Sequence, residues 1–278
     1  MPLKGLGLFV LLIVAIVAAN IYLLPQYAWV STGVLIIGLM MMAGWGVNRR
    51  PDGILIDNRN RVSLSKFQAA AWTILVLSAL VSAVALNLFN ADPTPIDIQI
   101  TNALLAAMGI SATSLVATPA LLSLKAAEAP TAQDVQKADV ATVTPSSSGM
   151  EPAGKVFARS DPKDASWADI FRGDEVGNVA SPDLSKIQQF LITMVLLGVY
   201  AAAIWTLLGK AKTVDSLPVV SDQFIWFLAI SHAGYLVYKA APHSRSAGPA
   251  PTPTPAPAPA VSPPPPPAAP PGPGAGGG

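Results

Sequence analysis

The chain has 278 residues, of which 52% are hydrophobic and 12% are charged, so it is too apolar for a soluble domain and indicates a protein that lies in a lipid bilayer. Its formal net charge of +1 excludes bulk attraction to nucleic acid, and we expect no nucleic-acid partner. Because it has no cysteine and only two histidines, disulfides, thiolate sites and histidine-rich metal sites are excluded, and we expect no metal and no cofactor.

Six apolar runs are long enough, or nearly so, to cross about 30 Å of hydrocarbon as helices. They cover residues 7–24, 28–48, 67–90, 103–124, 187–208 and 223–239. The last run is the shortest. We expect its ends to lie at the membrane interfaces, with Trp226 on one side and Tyr235, Tyr238 and a snorkelling Lys239 on the other.

The first run has two interpretations. Lys4 before it and the small residues from Ala15 to Asn20 are compatible with a cleaved signal peptide. The apolar residues continue to Leu24, which favours a retained helix. We therefore predict that residues 1–48 form two N-terminal transmembrane helices.

The charges between the runs predict the orientation of the protein. Lys and Arg are frequent between the second and third runs and in the segment 125–186, whereas the link between the third and fourth runs carries only Asp92 and Asp97. The positive-inside rule therefore places the basic segments in the cytoplasm. We expect a multi-pass protein of the cytoplasmic membrane with both termini cytoplasmic.

A motif that occurs twice indicates an internal duplication. Leu-Ser-Lys-x-Gln stands at 64–68 and again at 184–188, and the same offset of 120 matches Gly53 with Gly173. The duplication predicts two helical-hairpin repeats, 49–124 and 166–241. Because both enter the membrane from the cytoplasmic side, they are parallel repeats rather than an inverted pair.

The repeated motif is interpreted as a helix start. Its serine and glutamine have the spacing of a capping box, in which each side chain bonds a free backbone amide of the first turn. The predicted capping residues are Ser65, Gln68, Ser185 and Gln188. We expect the adjacent Lys66 and Lys186 to reach the lipid head groups. An alternative places the two glutamines in a polar vestibule.

Small and hydroxyl-bearing side chains recur on the predicted helices. Small residues four positions apart permit close helix contact in lipid, which favours a compact four-helix core and makes a homo-oligomer plausible. In the alternative interpretation they line a path through the membrane. The residues concerned are Thr73, Ser78, Ser82, Ser111, Thr193, Gly198, Ser231 and His232. No Asp, Glu, Lys or Arg lies in the middle of a run, which is atypical of proton-coupled carriers.

Two segments are expected to be disordered. Residues 125–165 mix small, polar and charged residues without periodicity and contain few large apolar groups. Residues 242–278 are rich in Pro and Gly, which favours extended polyproline II.

The segments that precede the third and fifth runs differ from each other. At 53–62 the sequence predicts a small hairpin that turns at 57–60. After Ser166 we expect a short helix whose apolar face lies on the membrane interface or the bundle, or alternatively docks a soluble partner; this face consists of Trp167, Ile170 and Phe171. Asp174 and Glu175 are interpreted as a solvated turn.

The fold class predicted is an all-α integral membrane protein with about six transmembrane helices, the last four forming two parallel repeats. No catalytic signature is present, and we expect no enzyme. The favoured function is a membrane anchor or scaffold that recruits a cytoplasmic protein partner through 125–186 or 246–278. The alternative is an oligomeric channel or facilitator lined by the Ser and Thr faces of the repeats.

Overall fold

The computed structural model describes residues 3–142 and 150–246, which are mostly helical. The helices are α1 (Leu3–Tyr22), α2 (Pro25–Asn48), α3 (Leu64–Phe89), α4 (Asn102–Ala126), α5 (Ala132–Thr142), α6 (Leu184–Lys210) and α7 (Asp222–Ala240). Within the described ranges, five helices (α1, α2, α3, α4 and α6) are long and apolar enough to cross a membrane. The chain is therefore a membrane-type helical protein, and α7 as a sixth span stays a prediction.

The core of the molecule is formed by α3, α4, α6 and α7. Helix α3 packs against α4 and α6, and α7 packs against α4 and α6. Large apolar side chains fill the interior, including Trp72, Leu104, Ile204 and Leu228. Helices α3 and α6 begin 120 residues apart, as do α4 and α7, and the Leu-Ser-Lys-x-Gln motif recurs at the same offset.

Helices α1 and α2 lie beside this core. Helix α1 packs mainly on α2, where Asn20 Nδ2 donates to Thr32 Oγ1 at 2.8 Å. Helix α2 packs on α3 and α6, and its Tyr27 ring meets Trp205 edge to face with ring centroids 5.6 Å apart. Most apolar side chains of α1 are exposed, as expected for a helix surrounded by lipid.

The two ends of the bundle are built differently. We call the end that carries segments 49–63, 125–131, 150–183 and 241–246 the charged end. The other end, with loops 90–101 and 211–221, is called the opposite end. There Asn87 Nδ2 donates to the carbonyl of Val214 at 2.9 Å and its Oδ1 accepts from the Val214 amide at 2.7 Å. The Leu217 amide donates to the Gln99 carbonyl at 3.0 Å, which joins the two loops.

The prediction that 125–165 is disordered is wrong for the described residues of that range. Helix α4 continues to Ala126, α5 follows, and strands β1 (Met150–Ala153) and β2 (Val156–Arg159) form an antiparallel hairpin. Val156 and Phe157 are each 1% exposed, so even the few apolar residues here suffice to pack the hairpin. Residues 143–149 and 247–278 of the predicted disordered segments lie outside the described ranges.

The hairpin predicted at 53–62 is confirmed. Residues Gly53–Leu55 form a 3₁₀ turn, and Ile56 then pairs antiparallel with Val62. The Asn60 amide donates to the Asp57 carbonyl at 3.1 Å, and Asn60 has a left-handed φ of 57°, which asparagine tolerates better than most residues.

Candidate functional site: a buried ion-pair cluster at the charged end

Asp174 lies at the centre of a buried cluster of charges. Its Oδ1 is 2.9 Å from Arg59 Nη2 and 3.4 Å from Arg61 Nη1. Its Oδ2 is 3.0 Å from Lys186 Nζ and 2.9 Å from Lys239 Nζ. One carboxylate therefore joins the turn before α3, the first turn of α6 and the last turn of α7.

Glu175 extends the cluster to the fourth core helix. Its Oε1 accepts from Lys125 Nζ at the end of α4. Its Oε2 accepts from the amides of His243 and Ser244 at 2.9 and 2.7 Å, which fixes the chain after α7. The carboxylates of the consecutive residues Asp174 and Glu175 thus bind side chains or amides from each of the four core helices or from the segment next to that helix. We call Asp174, Glu175 and the basic side chains paired with them the Asp174 cluster.

A second buried carboxylate anchors the β hairpin. Asp169 accepts from Arg159 through both of its oxygens, at 2.9 Å from Nη2 and 3.1 Å from Nε. The backbone of Arg159 also pairs with the turn before α3, because its amide donates to the Arg59 carbonyl at 2.8 Å and its carbonyl accepts from Asn60 Nδ2 at 2.7 Å. The 57–61 turn is consequently held between the hairpin and Asp174.

The electrostatics of the charged end favour the ionised forms of Asp174 and Asp169. Burial alone raises the pKa of a carboxyl, but the neighbouring cations, led by Lys186 and Lys239, hold the pKa of Asp174 well below its ordinary value. For Asp169, burial is likewise outweighed by the hydrogen bond from Arg159, and its pKa is lowered. Burial tends to lower the pKa of Arg59, and the Asp174 and Asp57 carboxylates raise it overall.

The sequence reasoning missed this cluster. Asp174 and Glu175 are only 7% and 1% exposed, so the predicted solvated turn is wrong. Lys186 and Lys239 are buried in ion pairs rather than extended to head groups, and Lys66 donates to the Ile56 carbonyl at 2.6 Å. One sequence signal could have revealed the cluster. Every predicted core helix has a Lys or Arg near the end that lies at the charged end, and Asp174-Glu175 is an acidic pair in the segment between the repeats.

The capping role predicted for the repeated motif is also wrong. The N-cap of α3 is Ser63, whose Oγ accepts from the Lys66 amide, and the N-cap of α6 is Asp183, which accepts from the amides of Ser185 and Lys186. Both caps lie two residues before the predicted serines. The predicted residues have other places: Ser65 contacts Thr118, Gln68 bonds Thr193 and Gln189, Ser185 donates to Asp183, and Gln188 is exposed.

The residues expected to pack or to line a path fall into two groups. Buried among the helices are Ser78, Ser82, Ser111, Thr193, Ser231 and His232. Thr73 and Gly198 are exposed on the outside of the bundle, so the small-residue face predicted around Gly198 makes no close helix contact. His232 Nδ1 lies 2.9 Å from the Leu228 carbonyl, as expected for a packing histidine.

The short helix after Ser166 is a 3₁₀ turn, Trp167–Ile170, with a capping box between Ser166 and Asp169. Ile170 is 2% exposed and packs against Leu55 and Ile56, while the Phe171 ring meets Phe190 of α6 edge to face at 5.1 Å. Trp167 is half exposed. The predicted apolar face thus lies against the bundle through Ile170 and Phe171.

The arrangement is suited to holding segments together. Each carboxylate of Asp169, Asp174 and Glu175 is paired with at least one cation. In the described ranges, no group of three or more His, Asp or Glu side chains is placed to hold a metal ion. Comparison with known proteins adds no relative, since no family model, no curated protein and no solved structure matches the chain.

Proposed function

We propose that the protein is a membrane anchor or scaffold that holds an ordered platform at the cytoplasmic face of the bilayer and recruits a cytoplasmic partner there. The platform consists of the described segments 49–63, 150–183 and 241–246 at the charged end. The distribution of Lys and Arg supports a cytoplasmic orientation for this end. The Pro-rich residues after Ser246 follow directly in the sequence and supply a second binding element.

The observation that carries this proposal is the way Asp174 and Glu175 fix the platform. These two residues join the ends of the core helices to the loops between them. Breaking a buried ion pair typically costs about 3–5 kcal/mol, so the platform and the helices behave as one unit. A rigid surface attached to membrane helices is what an anchor for a soluble partner requires.

The channel alternative receives less support. Six of the eight residues predicted to pack or line a path are buried against neighbouring helices. Thr193 Oγ1 accepts from Gln68 Nε2 at 2.6 Å, and Ser78 Oγ donates to the Leu75 carbonyl at 3.1 Å, so these two hydroxyls are bonded within the bundle. A path along these side chains would require the core helices to separate.

The test is in-cell crosslinking followed by purification of the full chain and two variants. The first variant ends after Ala247, which removes the Pro-rich tail and retains Ser246, a residue that contacts Lys155. The second replaces exposed platform residues at Trp167 and Ala168 by Glu, and its matched control carries Val219→Glu on the opposite end. Deleting 126–163 is unsuitable, because it would remove the buried Arg159.

A cytoplasmic protein that crosslinks to the full chain and is lost from either variant, but not from the control, supports the proposal and identifies the partner. Recovery of only this chain in all preparations contradicts it. Loss from both variants but also from the control would indicate misfolding at the membrane and would likewise count against a specific platform.

A further inference from the structure

A cavity of about 740 Å³ lies between α2, α3 and the short turn at 162–167. Sites for small molecules commonly have volumes of about 300–1,000 Å³. This cavity is separate from the Asp174 cluster, although Lys163 and Trp167 in its lining belong to the platform segment 150–183. The polar residues of its lining lie just after α2 and in the 162–167 turn. The remaining lining, along α2 and α3, is apolar.

The apolar part runs along two membrane helices. On α2 it is lined by Ile37, Met41 and Trp45, which share a face at helical spacing, and on α3 by Ala70 and Ile74. The stretch from residue 37 to 45 corresponds to about 12 Å along the helix axis. Ile37, Met41 and Trp45 are 42–56% exposed, so the groove is open on the side that faces lipid in a membrane helix bundle.

The polar part carries two basic side chains that are not used within the fold. Arg49 and Lys163 both line the cavity, are exposed and have no ion pair within residues 3–142 and 150–246. Arg50 Nη1 donates to the Lys163 carbonyl at 2.7 Å, which brings residue 163 next to the end of α2. The one carboxylate in the lining, Asp52, is paired with Arg50 at 2.8 Å.

Two tryptophans stand beside this basic mouth. Trp45 of α2 and Trp167 of the 3₁₀ turn are 56% and 50% exposed and both line the cavity. Tryptophan is enriched at the level of lipid head groups, where its ring contacts both the apolar and the polar layers. The cavity therefore has its basic side chains and its tryptophans together near the end of α2. Its apolar lining continues from there along α2 and α3.

We propose that this groove binds one anionic phospholipid of the surrounding bilayer, with an acyl chain between α2 and α3 and the phosphate at Arg49 and Lys163. Charge complementarity selects the anionic head group, because Arg49 and Lys163 have no ion pair among the residues that the structure describes, while Asp52 is neutralised by Arg50. An apolar peptide or ligand would leave these two cations unused. The inference rests on the chain being a membrane protein and does not depend on its recruiting a partner.

The experiment is native mass spectrometry of the full chain released from nanodiscs that contain equal amounts of phosphatidylglycerol and phosphatidylcholine. We expect phosphatidylglycerol to be retained in preference to phosphatidylcholine. Each basic residue near the head groups contributes about fivefold in affinity, so Arg49→Ala with Lys163→Ala should reduce phosphatidylglycerol retention roughly 30-fold. The matched control, Lys210→Ala with Lys212→Ala, removes two exposed basic residues near the opposite end and should leave retention unchanged.

A second pair of variants tests the groove itself. Ile37→Trp fills the apolar part from an exposed position and should reduce retention of both lipids, whereas Val34→Trp on the same helix, outside the lining, should not. Equal retention of the two lipids by the unmodified chain would overturn the proposal, as would equal losses in a variant and its control. Increased lipid retention after removal of residues 248–278 would also overturn it, because the tail would then be the resident occupant.

Discussion

The two ends of the helix bundle are joined by different kinds of interaction. At the charged end, buried carboxylates pair with cations from every core helix or its adjoining segment, as Asp174 does with Lys186 and Lys239. At the opposite end, Asn87 and backbone groups of residues 99 and 214–217 join the loops through neutral hydrogen bonds. Neutral bonds tolerate the loss of one partner better, since a charge left buried alone is far more costly than an unpaired amide. The charged end should therefore be the more sensitive to substitution and to pH.

The largest effect is expected from Asp174→Ala. This change leaves Arg59, Arg61, Lys186 and Lys239 buried around a missing carboxylate. Removing one partner from a buried ion pair costs about 3–5 kcal/mol in the free energy of unfolding, and here one carboxylate serves several cations. Thermal unfolding of the purified protein in detergent, followed by circular dichroism, measures the loss.

The matched control for this substitution is Asp215→Ala. The Asp215 side chain is exposed at the opposite end, so its removal should change stability by no more than about 0.5 kcal/mol. Asp174→Asn keeps a polar side chain of similar shape and should fall between the two. If Asp174→Ala were as stable as the control, the ion pairs of the charged end would contribute nothing to holding the loops.

Acidification is expected to weaken the charged end selectively. The pKa values of Asp174 and Asp169 are lowered in the folded protein, so their contribution to stability is fully present above the ordinary carboxyl pKa of about 4. It is lost as the pH falls below that value toward the lowered pKa values. The melting temperature should therefore fall below about pH 4 and change little from about pH 5 to pH 6, because burial lowers the pKa of Lys186 only to about 7 and this lysine stays charged in that range.

Asp174→Asn provides the comparison for the pH profile. Its melting temperature is lower at neutral pH but should fall less on acidification, because the group with the strongly lowered pKa is gone. The two profiles should converge at low pH. Parallel profiles would mean that other carboxylates dominate acid unfolding.

A smaller effect is expected at the opposite end from Asn87→Ala. Asn87 is 1% exposed and satisfies both the amide and the carbonyl of Val214. Leaving buried backbone groups without partners costs about 1–3 kcal/mol. Because no charge is involved, the loss should be the same at pH 4 and pH 7 and in low and high salt. A salt-dependent loss would show that the two ends are coupled electrostatically.

Much of the helical framework was predictable from the sequence because it depends on local pattern. The apolar runs gave the positions of the long helices, and the Asp-Asn-Arg-Asn stretch at 57–60 gave the turn before α3. These features arise from residues close together in the chain, where period and turn preference carry the information.

The Asp174 cluster could not be predicted in the same way. Arg59 is 115 residues away from Asp174, and a Gly-Asp-Glu stretch has no local property that distinguishes a solvated turn from a buried ion pair. The 150–159 hairpin was missed for a related reason. It has few apolar side chains of its own, and Arg159 fixes it through Asp169. Stability that comes from paired charges does not appear in a count of hydrophobic residues.

The smallest effects are expected at the helix caps, where the difference between the ends should disappear. Ser63 caps α3 at the charged end, and Thr101 caps α4 at the opposite end by accepting from the Leu104 amide at 3.2 Å. Replacing a capping hydroxyl by Ala costs about 0.5–2 kcal/mol wherever the helix begins, because the bond is local. Ser63→Ala and Thr101→Ala should therefore lower stability by similar amounts, and neither loss should depend on salt.

Gln188→Ala tests the repeated motif and should have no measurable effect, because Gln188 is exposed and Asp183 caps α6. If Ser185 were the cap, this change would remove half of a capping box. A loss at Gln188 comparable to that at Ser63 would restore the capping interpretation of the repeated motif.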